Sequence, residues 1–394
     1  MSTPIQGLRG SGEFDADFRP KNYRELYTLL EPNGSAPLNA LLAMTSAEST
    51  NDPEFKNFRD ELPDRVLKIN NGAGYNDTAT ALTVDSSTIT RFVVDGAIIV
   101  NVSTGEVMQA SADASSLTAI TVARNIGGTS HTITDDDDLI IAGYAAQEGD
   151  TSPTAVSFDA VVASNYTQIF RTAYKVTNTL ANTYLRTGSK EEEAQVKALK
   201  MHMMDIERAM IWGLKHEANG SSAQPTRYTG GLINSMTTVI DGNSGDYTGG
   251  AISEDAFDQE LIETIFAFGS STKLAFIGAR VASLLQKIGK DRWQPTQVSG
   301  TYGVSMTRYS TFAGDVLVHL HPQFRQIPGM DNSMLIVDLP YVKYRYLENR
   351  DTQLLKDRQA NDEDAKKHEY LTECGLELTQ DKVHAYIKNW TSLA

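Results

Sequence analysis

The 394-residue sequence holds a single cysteine, Cys374, so no internal disulfide can form, which suits a reducing cytoplasm. Positive charge is scarce: 35 Lys and Arg stand against 50 Asp and Glu, a net charge of -15. A protein that grips nucleic acid by its phosphates carries the opposite sign. This surplus favours solubility and opposes premature association. Long apolar runs are missing too. Met334–Val337 is among the longest, far short of the roughly 20 residues that cross a bilayer, so no membrane partner is expected. The N-terminus, MSTPIQGLRGSGEFDADF, lacks the basic start and apolar block of a secretory signal.

Chemical motifs are also absent. There is no GxxxxGK(S/T) phosphate loop, GxGxxG turn, GxSxG elbow, HExxH helix or pair of CxxC knuckles. Four features deserve weighing. Cys374 lies in an alternating apolar stretch, which reads as core rather than nucleophile. His319 and His321 could share a strand face and bind a metal, but two imidazoles without a further ligand read better as an exposed or interfacial face. The run Asp135–Asp138 could attract Ca²⁺, yet lacks the spaced ligands and turn glycine of a calcium loop, so a solvated acidic turn is expected. The mixed-charge stretch Asn361–Lys367 reads as an exposed loop. No catalytic, cofactor-binding or metal-binding residue is nominated, and no cofactor is expected.

At 40% hydrophobic residues, the chain has enough apolar content to fold and enough length for two or three domains. Residues 1–20, with Gly7, Gly10, Gly12, Pro4 and Pro20, read as an extended arm. A short helix is expected at Asn22–Leu30, then an apolar stretch at Pro37–Met44 and a polar linker at 45–65. From Thr80 to Gly149 the pattern is strand-like, at Arg91–Val94, Ala97–Val102, Val107–Ala110, Leu117–Ala123 and Leu139–Ala142, with Ser103–Glu106 as a hairpin connection. This segment looks too poor in bulky apolar residues for a large core and is expected to need a partner surface.

After Ser157 the period turns helical. Ile169, Ala173, Val176, Leu180 and Tyr184 suggest one helix. Ser189, with Glu192 at capping-box spacing, opens a second that runs to Trp212, with Val196, Leu199, Met203, Ile206 and Met210 as its apolar stripe. Its Met content reads as packing. Residues 219–250 read as loop. A helix at Ser253–Phe268, a strand at Lys273–Ile277 and a helix at Ala279–Ile288 imply an α/β-type domain. Alternation resumes at Val316–Leu320, Cys374–Leu378 and Val383–Ile387, the last two forming an expected antiparallel pair.

This order of parts resembles the Hong Kong 97-type major capsid fold of tailed phages. The stretches Phe92-Val93-Val94-Asp95-Gly96-Ala97-Ile98-Ile99, Thr104-Gly105-Glu106, Val122-Ala123-Arg124-Asn125-Ile126-Gly127-Gly128-Thr129, Ala146-Gln147-Glu148-Gly149, Tyr166-Thr167-Gln168-Ile169-Phe170 and Arg227-Tyr228-Thr229-Gly230-Gly231-Leu232 look like one podophage-like subfamily. The resemblance implies an α+β fold with an N-arm and short helices over 1–44, an E-loop with a β-rich insertion over 45–150, and a peripheral domain with a long spine helix over 151–234. An axial α/β domain over 235–335 would follow, then C-terminal strands over 336–394 returning to the peripheral domain. It further implies a structural head protein with no catalytic site, assembling with copies of itself as hexamers and pentamers into an icosahedral shell around double-stranded DNA. A separate scaffolding protein and a portal would be assembly partners, a decoration or cement protein a further one, and contact with DNA weak and non-specific. The rival reading is a tail or receptor-binding protein that holds glycan on its β-rich segment.

Overall fold

The computed structural model describes residues 36–38, 42, 47–183, 189–220, 224–245, 247–288, 307–325 and 327–393. The expected arm at 1–20 and the helix at Asn22–Leu30 lie outside them. The chain divides into two compact units, Phe58–Val162 and the remainder. The fold is α+β, as expected.

The larger unit is built on two sheets. One is mixed and six-stranded, in the order Thr238–Asp241, Ala385–Lys388, Met334–Val337, Thr272–Ile277, Asp315–Leu320, Thr307–Ser310. Its two central strands, Met334–Val337 and Thr272–Ile277, are largely apolar because both faces are covered, the buried exception being Lys273. Leu274, Phe276, Leu335 and Val337 point into one core, and Ala275, Ile277, Met334 and Ile336 into another. The second core is closed by the helices Glu254–Glu260 and Ala279–Ile288 and by Trp390, whose ring lies tilted against Phe257 with the centroids 4.8 Å apart. The expected helix from Ser253 is shorter than its periodicity suggests. Ser253 caps it, but from Leu261 to Ile265 the backbone widens to a π-turn and stops.

The other sheet runs Ala47–Thr50, Val342–Leu347, Ala365–Leu378, Gln168–Thr177, with Gln353–Leu355 also beside Ala365–Leu378. The long helix Lys190–Trp212 packs on it, about 35 Å long at 1.5 Å per residue. Ser189 caps this helix as expected, its Oγ accepting from Glu192 N. The buried stripe, however, is Ala198, His202, Ile206 and Met210, whereas Val196 is exposed and Met203 half-buried. Two polar residues, His202 and Glu207, lie on the buried face, which an apolar-only count skips.

Four sequence expectations are corrected. Gln168–Thr177 is a strand, not a helix, with only Asn178–Asn182 helical after it. Its Ile, Phe, Thr, Tyr and Val content suits a pleated surface, and ten residue pairs to Ala365–Cys374 hold it there. The presumed linker contains two paired strands, Ala47–Thr50 against Tyr344–Leu347 and Glu54–Arg59 against Val161–Tyr166. Arg91–Val94 is not a strand; Thr88–Phe92 forms a 3₁₀ turn capped by Ser87. The strands Ala365–Leu378 and Ala385–Lys388 do not pair with one another. The first belongs to the five-stranded sheet and the second crosses to the mixed sheet, between Thr238–Asp241 and Met334–Val337.

The smaller unit is an antiparallel sheet in the order Val66–Lys68, Asp138–Tyr144, Ala97–Asn101, Val107–Ala110, Ala119–Ala123, Ala81–Thr83. It closes on itself. Ile69 bridges Val84, Asn70 N donates to Thr83 O at 3.0 Å, and Asp85 N donates to Lys68 O at 2.8 Å. Closure removes the free strand edges. The expected shortage of core residues is corrected as well: Leu67, Leu82, Ile99, Met108, Ile120, Val122, Leu139 and Ile141 fill the barrel. Medium-sized residues suffice in so narrow an interior.

Candidate functional site

The residues weighed in the sequence for chemistry are dispersed. Cys374 is buried in the core, and burial pushes its thiol up to about 12, leaving little thiolate for attack. His319 stands edge-on to Phe276, while His321 is buried and hydrogen-bonded to Glu207 at 2.9 Å. Among the described residues, no three His, Cys, Asp or Glu converge in a way that could hold a metal. The acidic turn is divided: Asp135, Asp136 and Asp138 are exposed, but Asp137 is buried. Burial alone would raise the Asp137 carboxyl, yet hydrogen bonds from Ser103 Oγ at 2.7 Å, Thr134 N at 2.9 Å and Asn101 Nδ2 at 3.1 Å hold it below the usual range.

Two quoted stretches have clear packing roles. Gly230-Gly231 passes against the end of the long helix. A Cβ on Gly213 would sit 2.3 Å from Thr229 O, and one on Gly231 would sit 2.6 Å from Gly213 N. Asn165 locks the same crossing, donating to Gly230 O and Leu376 O while accepting from Gly230 N. In the barrel, Arg124 forks onto both oxygens of Glu106 at 2.7 and 2.6 Å and donates to Asn76 O and Ala79 O. These bonds tie two loops to the barrel wall.

The surfaces are more telling than any cavity. On the face of the five-stranded sheet away from the long helix, Glu369, Glu373 and Glu377 recur every fourth residue along one strand, all buried. Arg171 holds Glu369 at 2.7 Å, Arg358 approaches it at 3.5 Å, and Arg350 holds Glu373 at 2.6 Å. Arg345 pairs with both Glu377 and Glu48. Phe55 and Asn57 cover the far end of this strand, Phe55 packing on Gly375 and Asn57 Nδ2 donating to Leu378 O. Beside Glu369 and Glu373, Ile169 is exposed, and a cleft of about 250 Å³ is lined by Thr167, Arg227, Tyr228 and Glu373. The sequence signal was available, since three glutamates at spacing four fall on one face of a strand.

The barrel unit contrasts in charge. Phe58–Val162 holds fifteen Asp and Glu against five Lys and Arg, so it carries -10 of the chain's -15. Phe58, Leu62, Phe158, Val161 and Val162 are exposed near its two ends, and Phe312 is fully exposed at a hairpin tip of the mixed sheet.

Comparison with known proteins gives these surfaces their meaning. The family model described as SU10 major capsid protein matches residues 10–391. The major capsid protein of Pseudomonas phage PaMx41 is 27% identical over 334 residues, covering 82% of this chain and 78% of that protein. Among solved structures, the capsid of a native GTA particle is similar at TM-score 0.48 and 9% identity, over 98% of this chain and 100% of that one. A structure of Mycobacterium phage Patience is similar at TM-score 0.39 and 14% identity, over 62% and 75%. The class is that of a phage major capsid protein, a structural subunit of the virion shell. The chain belongs to the SU10 major capsid protein family. The tail or receptor-binding reading is thereby corrected.

Proposed function

We propose that this protein builds an icosahedral head around double-stranded phage DNA by assembling with itself as hexamers and pentamers in the host bacterial cytoplasm. Its work is assembly and not catalysis. The family match over residues 10–391 carries this reading. A separate scaffolding protein and a portal act during assembly, a decoration protein binds the finished shell, and contact with DNA is weak and non-specific, in keeping with the charge of -15. The five-stranded sheet with its long helix serves as the peripheral domain, the mixed sheet as the axial domain, and the barrel unit as an insertion in the E-loop that lies over a neighbouring subunit. Exposed apolar residues such as Phe58, Leu62, Phe158 and Phe312 support a surface completed by other copies. Electron microscopy of the purified chain tests the reading. Shells, sheets, or rings of five or six are expected. Discrete trimers, or monomers with glycan affinity, would overturn it.

A further inference from the structure

We propose that Asn219 is a site of spontaneous covalent modification, where water replaces the side-chain amide and leaves an aspartate or isoaspartate.

Two Asn-Gly pairs fall among the described residues, Asn71-Gly72 and Asn219-Gly220. A glycine after asparagine leaves its own backbone nitrogen free to reach the side-chain carbonyl carbon, because no Cβ stands in the way and the backbone turns easily. The fold treats the two pairs differently. Asn71 is clamped: its Oδ1 accepts Ala73 N at 3.2 Å, its Nδ2 donates to Gly74 O at 2.8 Å, and its own N donates to Asp135 Oδ1 at 2.7 Å. Ring closure there must first break the bonds that hold the carboxamide. Asn219 is exposed, just past the strand His216–Ala218 that pairs antiparallel with Thr226–Tyr228. Among the described residues no group holds its carboxamide. Its backbone is left-handed, at φ 56°, a conformation that costs a non-glycine residue free energy, so rotation toward the cyclic geometry gives up little.

The chemistry needs only water. Gly220 N loses its proton to solvent base and bonds to Asn219 Cγ. The Cγ–Nδ2 bond breaks, ammonia leaves, and a cyclic imide is closed. Water then opens the ring. Cleavage at Cγ gives aspartate; cleavage at the backbone carbonyl carbon gives isoaspartate, with the chain running through the former side-chain carbon. The net exchange is water in and ammonia out, with no change of oxidation state. Each reacted copy adds a negative charge to a chain that already carries -15, so the protein records its age as charge.

The test ages the purified full chain in H₂¹⁸O at mildly alkaline pH. Trypsin cuts after Lys215 and Arg227, and Asn219 is the only asparagine between them. Mass spectrometry is expected to find ¹⁸O accumulating at Asn219 at least about tenfold faster than at Asn71, the factor that hydrogen bonds worth about 1.4 kcal/mol supply. The rate at Asn219 should rise with pH, since the attacking nitrogen must give up its proton. In strong urea the two sites should react at similar rates, because the clamp on Asn71 is gone. Asn219→Gln should leave the peptide unlabelled. Equal labelling of both sites in the folded chain would overturn the proposal. So would an unlabelled Asn219 in the folded chain, whatever happens in urea. Label that persists in the Asn219→Gln chain would place the reaction at Gln224 and overturn it as well.

Discussion

His321 Nε2 donates to Glu207 Oε1 at 2.9 Å, with both side chains fully buried between the long helix and the mixed sheet. Gln323 N donates to Nδ1 of the same ring, which leaves Nε2 to carry the proton that Glu207 accepts. The same Glu207 oxygen accepts Leu38 N–H at 2.9 Å. One carboxylate thus fixes a helix, a strand end and the segment around Leu38 and Leu42. Glu207→Leu should cost about 3–5 kcal/mol, because it strands two buried donors. Glu207→Gln, which keeps an acceptor oxygen, should cost about 1–2 kcal/mol. Urea unfolding of the two variants checks this, and an unshifted midpoint for the leucine variant would refute it.

The glycine crossing at the end of the long helix gives a steric prediction. A methyl group on Gly213 meets Thr229 O and Ala209 O at 2.3 and 2.4 Å, both of them backbone atoms that cannot swing aside. Gly213→Ala and Gly231→Ala should each cost about 2 kcal/mol or more and reduce soluble yield. Gly128→Ala is the control. Its added carbon would meet only Asn125 at 3.9 Å, so a change within about 0.5 kcal/mol is expected. Thermal melts that rank the three equally would remove the crossing from the list of constraints on this fold.

Local signals in the sequence were legible wherever the chain makes its own structure. Ser189 and Ser253 mark true helix starts, Ala279–Ile288 is a helix over its full expected length, and the strands from Ala97 to Ala110 fall where alternation places them. Failures came where distant pairing decides. Nothing near Ile169 announces that its strand will lie along residues 365–374, roughly two hundred positions later. The crossing of Ala385–Lys388 to another sheet is equally silent, since a strand buried on both faces shows no preferred neighbour. The long helix was placed correctly but rotated, because His202 and Glu207 are polar and their burial depends on partners at Thr372 and His321. The arginine-capped face was missed for the same reason: its glutamates are close in sequence and its arginines are not.

His202 provides a pH prediction. Its Nδ1 lies 3.0 Å from Thr172 Oγ1 and its Nε2 lies 2.8 Å from Thr372 Oγ1, with Tyr370 packed beside the ring. Burial pushes its pKa down, and the nearby Asp205 offsets this only in part. The unfolded chain therefore binds a proton at higher pH than the folded one. The stability His202 contributes is complete above about pH 6.5, the ordinary histidine value, and is lost as pH falls through its folded value. Each pH unit inside that window costs at most about 1.4 kcal/mol from this group. His202→Gln keeps hydrogen-bonding capacity without the titration, so its stability should fall less steeply from pH 7 to pH 5. Parallel slopes for the two proteins would show that His202 does not set this dependence.

The barrel supplies a final prediction about where stability resides. Arg124 and Glu106 form a buried pair at 2.6 Å, joined by His131 N–H to the same carboxylate. Burial alone would raise the Glu106 carboxyl, but the Arg124, His131 and Asn125 hydrogen bonds hold it below the ordinary range. Arg124→Met leaves that carboxylate buried with backbone donors alone, and should cost about 3–5 kcal/mol. Adding Glu106→Leu removes the orphaned charge and should recover much of the loss, because a buried pair is often replaceable by apolar residues of similar volume. The barrel has its own closed core, so the damage should stay local. Hydrogen exchange on the Arg124→Met protein should show lost protection over Ala97–Tyr144 and unchanged protection over Thr272–Ile288. Equal loss in both regions would mean that the two units unfold as one and that the barrel is not an independent module of the shell subunit.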